Sequence, residues 1–120
     1  LYQTNYPEWR SANENYPITW FWHYEPYVMV RTREAPWYDL TFIERYFDKV
    51  SHIYHLYKSG FEFWGLPHAY SVHMPHADSS NKLIARYLRI FWTCANQAYK
   101  KFTAKIDLMY PANSTYNIGL

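Results

Sequence analysis

Two pairs of histidines spaced three apart give this chain its first chemistry. His73 and His76 bracket Met74-Pro75, and His52 and His55 repeat the H-x-x-H spacing upstream. Imidazole nitrogen suits Zn²⁺ or Mn²⁺, and a strand end is a rigid platform with one open side. Pro75 stiffens the backbone between His73 and His76, so ligand pair and wet end of a strand stay equally open for them. His52 and His55 lack a thiolate or a paired carboxylate to complete a shell, and read as ordinary half-buried histidines.

Carboxylates are sparse. Asp39, Asp48, Asp78 and Asp107 are the four aspartates, and no two are one residue apart, so no dedicated acidic pair exists for a hard cation. Asp39 follows Trp37-Tyr38 in a loop and could act as a general base. Asp48, beside Lys49, could do so too, or be a solvated ion pair. Cys94 is the one cysteine, which excludes an internal disulfide, and its apolar helical surroundings predict a core position. Trp20, Phe21, Trp22, Tyr24 and Tyr27 could stack on sugar rings or be core and sheet surface.

The elements that must position these residues follow from hydrophobic spacing. Residues 1 to 16 read as loop. Ile18 to Trp22 and Tyr27 to Arg31 read as short strands, with Pro26 at the entry of the second. From Leu40 to Tyr57 apolar residues recur at helical spacing, and Ser59-Gly60 supplies a helix end. "FEFWGLP" and "AYSVHM" read as two more extended runs. Residues 82 to 105 predict a second long helix, capped by Ser79 or Ser80, before a loose tail. The order is β-β-α-β-β-α, an α/β or α+β portion of a domain with too few strands for a complete nucleotide-binding sheet. Residues 1–120 form one partial domain.

Composition narrows the classes. Aromatics make up 22% of 120 residues, including fourteen Tyr and six Trp, with only three Gly, which argues against a disordered chain. A formal charge of +2, with basic residues scattered, gives nucleic-acid binding little support. No apolar run reaches membrane-spanning length and no signal peptide is visible. The chain opens without Met, so a truncated or processed N-terminus is expected. Asn113-Ser114-Thr115 is an N-glycosylation match.

The order of motifs carries more than any one of them. Tyr24-Glu25-Pro26-Tyr27 with Val28 comes first, then Pro36, Tyr38-Asp39 and Phe42. Asp48-Lys49-Val50 and His52 follow, then Leu66-Pro67, Ala69-Tyr70 and His73-Met74-Pro75-His76. Over residues 16 to 80 this series resembles the C-terminal half of glycosyltransferase family 49, which includes LARGE-type xylosyl- and glucuronyltransferases and a β-1,4-glucuronyltransferase acting on dystroglycan-type glycans. The L-P-x-A-Y…H-M-P-H run is the most specific part.

The resemblance implies a GT-A-type fold, a UDP-sugar donor, a glycan acceptor and Mn²⁺, in a Golgi-lumenal type II membrane enzyme whose anchor lies upstream. It implies His73 or His76 as a Mn²⁺ ligand near the diphosphate, with an Asp-x-Asp upstream. By analogy Asp39 and Asp48 border the acceptor, and Tyr27, Trp37 and Tyr38 contact it. The chain departs from the family pattern where Leu40-Thr41 replaces Glu-Arg, and where Glu44-Arg45-Tyr46-Phe47 replaces a glycine-bearing run. Those departures favour the alternative of a non-catalytic carbohydrate-binding or scaffold module. A stand-alone metal domain using His52, His55, His73 and His76 is a third reading.

Overall fold

The computed structural model describes residues 4–42, 46–75 and 82–111. Its elements run α1 Tyr6–Ser11, β1 Tyr16–Ile18, α2 Asp48–Lys58, β2 Phe63–Gly65 and α3 Lys82–Met109. This is a mixed architecture of helices with one small antiparallel sheet.

Sequence pattern missed α1. Pro7 in its first turn presets φ and gives up an N–H that a helix start leaves unbonded anyway. Glu8 accepts a hydrogen bond from the Asn5 amide at 2.9 Å, and the Ser11 hydroxyl returns to Pro7 O at 3.1 Å. The helix is six residues long, too short for an apolar period to show.

The expected strands Ile18 to Trp22 and Tyr27 to Arg31 do not form. Only Tyr16–Ile18 is a strand there, paired antiparallel with Phe63–Gly65 in the register Tyr16↔Gly65, Pro17↔Trp64 and Ile18↔Phe63. The aromatics that suggested a longer strand are drawn onto a helix instead. Trp20 stacks on Tyr57 with centroids 4.4 Å apart, and Trp22 stacks on Tyr54 at 5.2 Å. A turn with His23 at φ 60° then diverts the chain. Likewise "AYSVHM" forms no strand, and residues 69 to 75 are exposed. The Tyr16 ring lies over Gly65, where any Cβ would overlap it, and its hydroxyl donates to Thr4 O at 2.8 Å. Trp9 Nε1 donates to Leu66 O at 3.1 Å, fastening α1 to the strand end.

Helix α2 is the strut of the molecule. Val50, Ser51, His52, Ile53, Tyr54, Leu56 and Lys58 are all buried, so it is enclosed on most sides. It starts later than the spacing from Leu40 predicts, because Tyr46 and Phe47 have left-handed backbone at φ 69° and 65°. Its end is where Ser59-Gly60 predicts. Phe61 N donates to Leu56 O at 3.1 Å and Gly60 sits at φ 95°, the left-handed stop that glycine favours.

α3 packs on α2 through its C-terminal half. Tyr99, Phe102 and Ile106 join Phe42, Phe47, Val50 and Tyr54 in the core, with Phe47 and Tyr99 stacked at 4.5 Å. Its earlier turns around Arg89–Cys94 are exposed, and Cys94 with them. The core position expected of Cys94 is therefore incorrect: apolar spacing identified the helix, but among its described side chains packing on the core begins near Ala95. The Ser79 or Ser80 cap, His76 and Asn113 lie outside the described residues.

Candidate functional site

Three separated motif segments meet at the first two turns of α2. Lys49 Nζ lies 3.7 Å from Glu25 Oε2 and 5.2 Å from the centroid of the Tyr27 ring, joining Tyr24-Glu25-Pro26-Tyr27 to the helix start. One turn on, the His52 imidazole lies parallel under the Tyr38 ring, with centroids 3.8 Å apart and planes 12° from parallel. Asp48 opens the helix, and Lys49 reaches Glu25 rather than this neighbour, so the expected Asp48–Lys49 ion pair is replaced by a tertiary one.

Asp39 follows the stacked Tyr38. Its carboxylate accepts from Thr41 N at 2.9 Å, closing a short side-chain turn. Hydrogen bonds from Thr41 hold its carboxyl below the usual carboxylate range. A carboxylate so held is ionised at neutral pH and orients a hydroxyl better than it takes a proton from one.

His52 is buried and its Nδ1 has no hydrogen-bond partner. Burial, then His55, pulls its pKa below the ordinary 6.5. His55 is lowered too, by burial and then Lys105, with Asp39 opposing. Its Nε2 lies 3.4 Å from the Tyr110 hydroxyl, and its ring stands edge-on to Phe102. Both are packed histidines, as the sequence suggests, and His52 is also the seat on which the Tyr38 loop rests.

These shifts fix a pH dependence. The unfolded chain takes up protons at His52 and His55 as pH falls below about 6.5, while the folded chain resists them, so stability must fall with pH from that point. Thermal midpoints measured between about pH 5 and 7.5 should decline toward the acid end, and His52→Phe should flatten that decline.

Of the remaining expected contacts, Tyr27 is 77% and Trp37 89% exposed, available to a ligand. His73 lies in the exposed stretch after β2. Among the described residues, no three His, Cys, Asp or Glu side chains gather into a group able to hold a metal. His52, His55 and His73 thus do not converge, which removes the basis for a four-histidine domain. Nor do the described residues alone compose a Mn²⁺ shell. The sequence points to Asp48 as the partner of Lys49 and leaves Glu25 a motif letter without a role. The opposite charges of Glu25 and Lys49 on two family motifs were the available signal.

With this geometry in place, the comparisons with known proteins are specific. A family model described as "Glycosyl-transferase for dystroglycan" matches residues 2–111, and the chain belongs to that family. It is 37% identical over 107 residues to "Xylosyl- and glucuronyltransferase LARGE1" of Danio rerio, covering 89% of this chain and 14% of that protein. The Homo sapiens protein of the same name is 36% identical over the same shares. "Xylosyl- and glucuronyltransferase LARGE2" of Rattus norvegicus is 45% identical over 107 residues, 89% of this chain and 15% of that one. The chain spans about a seventh of the length of these relatives.

Proposed function

We propose that residues 1–120 form the acceptor-side portion of a GT-A-type catalytic domain. The whole enzyme would transfer a sugar, glucuronic acid being the first candidate, from a UDP-sugar to a glycan hydroxyl in the Golgi lumen, as a Mn²⁺-dependent type II membrane protein. The observation that carries this reading is the meeting of three motif segments on α2, through Lys49 with Glu25 and Tyr27, and through His52 with Tyr38. Motif letters dispersed over residues 24 to 52 have a shared purpose if they build one surface.

On that surface, Tyr27, Trp37 and Tyr38 offer aromatic faces and hydroxyls to an acceptor sugar. Asp39 orients the attacking hydroxyl, and Asp48 is the candidate to receive its proton as the oxygen bonds to the anomeric carbon and UDP departs. His73 and His76 are assigned to Mn²⁺ and the diphosphate, with the acidic donors supplied from outside this chain. The Asp39–Thr41 hydrogen bond also favours a second reading, a carbohydrate-binding module without transfer, because it weakens Asp39 as a base.

Titration of full-length protein with Mn²⁺ and UDP separates the assignments. Changing both His73 and His76 to Ala should weaken Mn²⁺ binding by about tenfold or more and abolish UDP-sugar transfer. Metal affinity unaltered in the double variant would remove the metal assignment. Parent protein that binds glycan and transfers nothing would favour the second reading.

A further inference from the structure

A cavity of about 360 Å³ lies beside the α2 start, lined by His23, Glu25, Tyr46, Phe47, Val50, Trp92 and Asn96; neither Tyr38 nor Asp39 is in its lining. The volume falls in the range of small-ligand sites, about 300–1,000 Å³. We propose that this cavity is a subsite for a neutral pyranose unit of a glycan. The ligand class rests on the sugar-transfer reading above; the choice of cavity and of a neutral sugar rests on the residues that line it.

Two features set the cavity apart from an incidental hollow. The first is its chemistry. Trp92 and Asn96 are one turn apart on α3, so ring and amide share a side of the helix. Trp92 is half-exposed, leaving its ring to cover the C–H face of a sugar, while Asn96 and Glu25 can take the hydroxyls at its edge. The second is backbone strain. His23, Tyr46 and Phe47 line the cavity, and they are three of the four non-glycine residues with left-handed backbone among the described residues. Such conformations cost about 1–3 kcal/mol each and collect where a ligand is clamped.

Charge selects the sugar. Glu25 is the one carboxylate in the lining. Lys49 holds it from outside the cavity at 3.7 Å. A uronic acid or phosphorylated unit would set its anion against this carboxylate, whereas a neutral pyranose offers hydroxyl donors to it.

The matched probes are methyl β-D-glucopyranoside and methyl β-D-glucuronide, which differ by one carboxylate. Both are titrated into full-length protein without UDP or metal, and binding is read by calorimetry or saturation-transfer NMR. The glucoside should bind saturably and the glucuronide more weakly. Trp92→Ala, at a half-exposed position, should weaken the glucoside about tenfold with an unchanged melting profile. Glu25→Gln should narrow the preference between the two. Equal affinities for the two probes, unchanged binding by Trp92→Ala, or no saturable binding of either would overturn the subsite. A protein that binds glucoside and never transfers sugar keeps the subsite and loses the catalytic reading. Transfer with unaltered acceptor KM in Trp92→Ala does the reverse.

Discussion

Tyr38→Ala should cost the full-length transferase about a hundredfold in kcat/KM, the scale at which misplacing a reacting group by about an ångström is felt. The reason is the position of the stack. Tyr38 is half-exposed, yet one face of its ring lies on His52, and Asp39 is the next residue. Without the ring the Asp39 turn keeps its bond to Thr41 but loses its seat on α2. The folded state should hold, since an aromatic pair contributes about 0.5–1.5 kcal/mol beyond its burial. Tyr38→Phe preserves the stack and removes only the hydroxyl, so near-parent activity in Phe with loss in Ala identifies positioning. Equal loss in both would assign the effect to the hydroxyl and refute the seat.

Asp107→Ala should be the most destabilising surface-reachable substitution, at about 3 kcal/mol. Its carboxylate meets Lys58 Nζ at 2.8 Å and accepts from the Tyr54 hydroxyl at 2.6 Å. The Lys58 side chain is only 3% exposed, so removing the carboxylate takes an ion-pair partner from a buried ammonium and the acceptor from the Tyr54 hydroxyl at once. Asp107 itself is 42% exposed, which keeps the cost toward the low end of the range for buried pairs. Chemical denaturation gives the number directly. A loss under about 1 kcal/mol would mean that the carboxylate is dispensable to Lys58 and Tyr54. At high pH, Tyr54 and Tyr99 act in the same region. Burial raises both phenols above their ordinary 10.0, so stability should fall once pH passes about 10, where the unfolded chain ionises first.

How far the sequence reaches can be judged residue by residue. The period from Phe42 to Tyr57 and the Ser59-Gly60 stop revealed α2 and its end, because both are local. Its start was hidden, since Tyr46 and Phe47 read as helical apolar positions while adopting left-handed backbone. The strands over 18–31 were misread for a related reason. Trp20 and Trp22 carry β propensity, but no neighbouring strand pairs with them, and Tyr54 and Tyr57 take their rings. Cys94 was misplaced because amphipathic spacing marks a helix without saying how much of it a partner covers. At the site, motif order revealed family membership and named Tyr38 and Asp39. The Tyr38–His52 stack joins residues fourteen apart with no shared local period, so only tertiary structure discloses it.

The left-handed turn at Tyr46 puts two demands on one position. The backbone at φ 69° favours glycine, while the core and the cavity wall use an aromatic side chain. No single residue type meets both. Glycine would relieve the backbone, but it would forfeit the packing of the Tyr46 ring against the core and open the cavity wall together.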